Sequence, residues 1–184
     1  ERVETPWSRS LKLRHPWLQL NLVTAFLAAA VVGAFQGTLD RLVILALFLP
    51  VLAGQSGNTG CQALAVTLRG ITLGELKPGQ ERLLITKEAG LGFLNGAGVG
   101  LAAAVGMYVT AASQHEAHPL LLALAVFLAM VGACVASGIA GAMVPLTLKR
   151  FGFDPATASS IFLTTATDVV SMGMLLGLAT ILVR

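Results

Sequence analysis

The chain has 184 residues, of which 55% are apolar, 11% charged and 6% aromatic, with a formal net charge of +3 and a mean hydropathy of +0.81. A water-soluble domain carries about 25% charged residues. Less than half that share excludes a water-facing globule of this size, and since about 20 apolar residues span a bilayer as a helix, there is room for five or six spans and for no large soluble domain.

The chain opens on ERVETPWSRSLKLRHPW, with no initiator Met and no cleavable signal pattern, so further sequence is expected upstream. Residues 1–16 mix Arg and Lys with Trp7, Leu11 and Leu13, which suits either an amphipathic helix on the inner leaflet or the end of a linker. Five apolar segments follow: Trp17 to Phe35, Leu42 to Leu68, Ala89 to Ala112, Leu120 to Leu148, and Ala156 to Val183. The reading is an all-α membrane protein in which residues 17–184 form one domain of five transmembrane helices. The shortest connection, Gln36 to Arg41, has room only for a turn.

The basic residues set the orientation. Arg2, Arg9, Lys12, Arg14, Arg69, Lys77, Arg82, Lys87, Lys149 and Arg150 fall on one side of the spans, against Arg41 and Arg184 on the other. The positive-inside rule makes the first side cytoplasmic, with the N-terminus inside and the C-terminus outside. The charge therefore speaks of a membrane and not of nucleic acid. An odd number of spans cannot divide into two equal inverted repeats, so a central pathway calls for a second copy of the chain.

The second span reads LFLPVLAGQSGNTGCQALAVTLRG. Pro50 removes a backbone donor, and Gly54 to Gly60 place seven poor helix formers in a row. Loosened backbone is tolerated in a bilayer only where it is buried in protein or lines a wet cavity. The expectation is a cavity, with carbonyls near Gly54 and Gly57 and the amide of Asn58 available to a cation or its hydration water.

The third span sets Gly92, Gly96 and Gly100 four apart, and the fourth carries Cys134, Ser137, Gly138, Gly141 and Ala142. Both stripes read as packing surfaces for close helix approach, with Asn95 as an interhelical hydrogen bonder. Cys61 and Cys134 lack metal or redox spacing and read as small packing residues. His15, His115 and His118 read as solvated interface residues. Glu75, Glu81, Glu88 and Asp154, interspersed with Lys and Arg, read as a solvated inner face; Asp40 and Glu116 belong to outer loops.

The fifth span holds the only carboxylate deep within a segment, Asp168. Ser160, Thr164, Thr167, Asp168 and Ser171 fall at offsets of 0, 4, 7, 8 and 11, which places them on one helix face. A charge at the bilayer centre costs about 2.5 to 3.5 kcal/mol on insertion scales and marks an ion or proton path. Hydroxyls, carbonyls and one carboxylate suit a hydrated hard cation better than a soft metal. On residues alone the reading stops at a divalent-cation or proton path. Intramembrane proteolysis needs a second Asp or an in-membrane base, and neither is present, so the chain does not read as an enzyme.

PVLAGQSGNTGCQALAVTLRG and FDPATASSIFLTTATDVVSMG are similar to two signature stretches of the MgtE family of magnesium channels and their eukaryotic solute-carrier relatives, and Arg14 to Leu18 fits the start of that family's first span. The resemblance covers essentially the whole chain. It implies Mg²⁺ uptake through a homodimer with the pore at the subunit interface, lined by the second and fifth spans. Asp168 matches the acid that holds hydrated Mg²⁺, the transported ion. Gly54, Gly57 and Thr164 match positions whose main-chain carbonyls face the ion's waters. Asn58, Cys61, Ser160, Thr167 and Ser171 complete the expected pore lining. Cys61 and Ser160 depart from the family pattern, which has Asn at both, on the cytoplasmic side of the pore. The resemblance also implies a cytosolic regulatory domain as a partner outside these residues, and a multi-pass protein of a bacterial or archaeal inner membrane. The alternatives are a divalent exchanger coupled to Na⁺ or H⁺, and a non-transporting assembly subunit whose polar faces serve only as glue.

Overall fold

The computed structural model describes residues 4–77 and 79–183, the side chain of Thr157 excepted. Arg2 and Arg184, which enter the charge asymmetry, lie outside the described residues. Six helices follow in order: α1 (Trp7–Ala34), α2 (Gln36–Arg41), α3 (Leu45–Thr72), α4 (Glu81–Ser113), α5 (Pro119–Arg150) and α6 (Pro155–Leu182). Among the described residues no strand occurs.

Local chemistry explains the ends. Asp154 caps α6 by accepting from the Ala156 amide at 3.0 Å, with Pro155 at the first helical position. Gly152, at φ 78°, closes α5 in the left-handed conformation, so that Gly152 and Phe153 return amides to the carbonyls of Lys149 and Leu148.

Four helices are long and apolar enough to cross a membrane: α1, α4, α5 and residues Ala158–Leu182 of α6. At 28 residues, α3 is about 42 Å long, which matches them in reach, but the run from Gly54 to Gly60 dilutes its apolar content. From Trp7 onward the N-terminal arm is helical and continuous with α1 through Pro16. Two expectations need correction. Gln36 to Arg41 forms the short helix α2 rather than a bare turn. The backbone of α3 does not loosen at its glycines and is helical from Leu45 to Thr72, through Pro50.

The helices alternate in direction. The Thr24 and Thr165 hydroxyls lie 2.7 Å apart, as do those of Thr38 and Thr180, so α1 runs with α6. Thr59 reaches Cys134 while Gly60 lies against Ser137 and Gly141, so α3 runs with α5. Gly92 faces Cys134 and Gly100 faces Phe127, so α4 runs against α5. The loops that carry Lys77 and that join α5 to α6 therefore share one end with the start of α1, and Arg41 lies at the other.

Close approach holds the centre together. A Cβ on Gly92 would come within 2.5 Å of the Cys134 carbonyl, and one on Gly138 within 2.5 Å of the Glu88 carbonyl. A Cβ on Gly141 would collide with the Gly60 carbonyl. The small-residue stripes of α4 and α5 are packing surfaces, as read. Asn95 is not part of them: it is exposed on α4 and makes no hydrogen bond with the described residues. Above the glycines, Leu45, Leu52, Met107, Met130, Leu175 and Leu176 form a fully buried core.

Candidate functional site

Most of the chain's outer surface is what hydrocarbon requires. Leu22, Phe26 and Leu27 on α1, Phe93, Leu94, Leu101 and Val105 on α4, and Leu120, Leu124 and Leu128 on α5 are all exposed, and no water-facing domain leaves such a band bare. The open face of α3 differs: Gly54, Gln55, Asn58, Cys61 and Gln62 are exposed there, and Gly57 is half-buried beside them. On α6, Ser160 and Thr164 are exposed and Asp168 is half-buried. Polar groups thus open outward on two helices packed against each other.

Their heights correspond. A Cβ on Gly60 would meet Leu163 Cδ1 at 2.9 Å, which fixes the register of the antiparallel pair. Gly54 lies six residues from Gly60, about 9 Å along the axis, and Asp168 lies five from Leu163 in the same direction, about 7.5 Å. Thr164 falls near the height of Asn58, while Cys61 and Ser160 lie toward the opposite end. Gly54, Gly57, Asn58, Thr164 and Asp168 form one neighbourhood, with Cys61 and Ser160 continuing it.

Packing supplies no reason for two of these glycines. A Cβ on Gly54 or Gly57 meets nothing within 4 Å, in contrast to Gly60 one turn further on. A bare glycine in a helix costs about 0.5 to 1 kcal/mol relative to Ala, so its use on an open face fits something outside the chain that comes close to the backbone. The unbroken helix does not remove their carbonyls from play. Each carbonyl has two acceptor sites, the helix uses one, and no Cβ shields the other.

The hydroxyls are spoken for as donors. Thr164 Oγ1 donates to the Ser160 carbonyl at 2.8 Å, Thr59 Oγ1 to Gln55 at 3.1 Å and Ser56 Oγ to Ala53 at 3.2 Å. Thr164, the exposed one of the three, therefore presents its oxygen outward as an acceptor, whereas Ser56 is fully buried and Thr59 also turns toward Cys134 Sγ. That polarity suits the first water shell of a cation, whose outer hydrogens are all donors. The Thr164 carbonyl already takes the Thr167 hydroxyl at 2.9 Å, so the open acceptor at this position is the side-chain oxygen.

The single polar face expected on α6 divides. Thr167 is 2% exposed and Ser171 fully buried; their hydroxyls bond the carbonyls of Thr164 and Asp168, so within one chain they sit in the packed interior rather than on the open stripe. Offsets 7 and 11 lie within about 20° of offset 0 around an ideal helix, so the division reflects what packs against α6 at those positions and not a separate helix face. Cys61, read as a packing residue and also as pore lining, is exposed, and Cys134 is buried; both are free thiols. Glu88 corrects another expectation. It is 6% exposed, not solvated, with Lys87 Nζ 3.3 Å from Oε1. No sequence signal marked it beyond its place next to the apolar segment. Among the described residues no three His, Cys, Asp or Glu side chains gather, so Asp168 is the one carboxylate on the stripe.

A family profile described as "MgtE: Divalent cation transporter" matches residues 49–178, which run from α3 to α6 and include both open stripes. The chain belongs to the MgtE family. Proteins named magnesium transporter MgtE are similar along nearly the whole chain: that of Enterococcus faecalis is 32% identical over all 184 residues, that of Thermus thermophilus 30% identical over 91% of the chain, and that of Bacillus subtilis 31% identical over 91%. The chain spans 39%, 36% and 36% of those relatives. The MgtE match covers the helices that carry the polar residues and the glycine-packed centre alike.

Proposed function

We propose that the chain is the membrane-spanning, ion-conducting part of a Mg²⁺ uptake system, with α1, α3, α4, α5 and α6 crossing the bilayer and the N-terminus inside. The observation that carries this is the open stripe of carbonyls, hydroxyls and one carboxylate on α3 and α6, on a surface otherwise fit for lipid. Two such chains that face each other supply two Asp168 carboxylates and two sets of Gly54, Gly57 and Thr164 acceptors around an axis. Mg²⁺ dehydrates reluctantly and is held through its waters by one or two carboxylates. In this reading Asn58, Cys61 and Ser160 line the way toward the cytoplasmic mouth, and the buried Thr167 and Ser171 hold the α6 backbone behind the site. An inside-negative potential of 100 mV acts on a divalent ion with about 4.6 kcal/mol, twice the value for one charge, so inward flow needs no coupled ion. The magnesium transporters among the relatives support the choice of ion over other divalents.

Growth tests this directly. Expressed in a bacterial strain stripped of its own Mg²⁺ uptake systems, the chain is expected to restore growth at low external Mg²⁺. A folded, membrane-inserted chain that leaves the Mg²⁺ requirement unchanged contradicts the proposal.

Orientation is tested by labelling. Cysteine placed at Lys77 and at His115, in a background without Cys61 and Cys134, is expected to react with an impermeant thiol reagent from opposite sides, the first only after the cytoplasmic face is opened. Labelling of both from one side sinks the five-span topology.

A further inference from the structure

Away from the ion stripe, at the end shared by the α3–α4 and α5–α6 loops, a cleft of about 740 Å³ opens between the start of α4 and the end of α5. Ile85, Met143 and Leu146 line it, together with Arg82, Lys149, Arg150 and the single acid Glu81. The order along both helices is the same. Arg82 precedes Ile85 on α4, and Lys149 and Arg150 follow Met143 and Leu146 on α5, so the apolar wall lies deeper in the bundle and the cations lie at its mouth. We propose that this cleft binds the headgroup of an anionic phospholipid, with the phosphate among Arg82, Lys149 and Arg150 and the upper acyl chain along Ile85, Met143 and Leu146. Only the assignment to the cytoplasmic leaflet rests on the orientation proposed above.

Helix ends explain part of the charge and leave a remainder. Lys149 and Arg150 stand in the last turn of α5, where a cation is favoured in any helix. Arg82 stands in the first turn of α4, where a cation is disfavoured, and Gln80 gives that turn no side-chain cap. None of the three cations is paired with a carboxylate among the described residues. An anion seated between the two helix ends answers all three. Basic pockets between membrane helices on the cytoplasmic side are a known form of headgroup recognition, and the volume falls in the range of small-ligand sites.

Native mass spectrometry of the detergent-solubilised chain, titrated with phosphatidylglycerol and with phosphatidylcholine of the same acyl chains, tests this. With three cations around one phosphate and favouring an anionic headgroup, phosphatidylglycerol adducts are expected at a concentration at least about tenfold lower than phosphatidylcholine adducts. Arg82→Gln with Lys149→Gln and Arg150→Gln is expected to remove that preference, whereas Arg9→Gln with Lys12→Gln and Arg69→Gln keeps it. Met143→Trp retains every charge and fills the cleft; it is expected to lose the preference too, and it serves if the triple variant fails to fold. Equal loss in the control triple, no preference in the unmodified chain, or full displacement of phosphatidylglycerol by millimolar inorganic phosphate overturns the lipid site, the last in favour of a free-anion site. Growth rescue at low Mg²⁺ is read separately, so failure here leaves the transport reading standing.

Discussion

Asp168→Asn is expected to abolish divalent binding and Mg²⁺ influx in a chain that still folds. Asn keeps the size and removes the one carboxylate that the sequence places in α3 or α6. Among the described residues no hydrogen bond or ion pair holds the Asp168 side chain; its carbonyl accepts from the Ser171 hydroxyl. A neutral side chain also lowers the insertion cost that an acid carries there. Across one layer of water, about 5 Å, a carboxylate attracts a divalent ion by about 7 kcal/mol at an effective dielectric of 20, before desolvation is charged against it. Desolvation offsets part of this, and a net loss of about a hundredfold or more in affinity is expected. Titration calorimetry with Mg²⁺ and indicator-dye influx into proteoliposomes read the two effects. Ser160→Ala, which removes a polar group and no charge, is expected to cost only a mild loss. Normal influx through a folded Asp168→Asn chain means that the ion is held elsewhere.

The glycines give the second large effect, and they separate into two classes that sequence alone does not distinguish. Gly92→Ala and Gly138→Ala each drive a Cβ to 2.5 Å from a backbone carbonyl across the α4–α5 contact. Backbone cannot swing aside as a side chain does, so the helices must part, at a cost of about 1 to 3 kcal/mol each. Gly54→Ala and Gly57→Ala meet nothing within 4 Å, and Ala is the better helix former by about 0.5 to 1 kcal/mol. Those two variants are expected to melt at or above the parent temperature in detergent and yet to conduct Mg²⁺ poorly, because the added methyl shields the carbonyl. The first pair is expected to melt lower. If Gly54→Ala and Gly57→Ala transport normally, the open face of α3 is not where the ion passes.

The order of the apolar segments, the charge asymmetry and the small-residue stripes were legible because each depends on composition at fixed spacing: Gly92, Gly96 and Gly100 recur every four residues and do face α5. Which residues of one helix face stay open was less legible. Ser160, Thr164 and Asp168 remain at least partly open while Thr167 and Ser171, within about 20° of Ser160 around the helix, are covered, a choice made by what packs against α6 and not by α6 itself. Propensity misled at α3, where seven poor helix formers still continue the helix. In a closely packed bundle the tertiary contacts of Gly60 with Ser137 and Leu163 outweigh local preference. Glu88 was misread for a related reason: a charged neighbourhood in sequence says nothing about which side of a 33-residue helix meets α5.

In the proposed reading the open stripes of α3 and α6 border water that carries Mg²⁺. Thiol reactivity at Thr164→Cys reads this, in a chain whose Cys61 and Cys134 are replaced, reconstituted in lipid vesicles. Leu94→Cys, on the exposed apolar face of α4, is the lipid-facing reference. A charged, water-soluble reagent is expected to modify Thr164→Cys, Mg²⁺ to slow the modification, and Leu94→Cys to stay unmodified. Thr164→Cys that resists the charged reagent and reacts only with a lipid-soluble one, with no effect of Mg²⁺, would place the stripe in hydrocarbon and contradict the account.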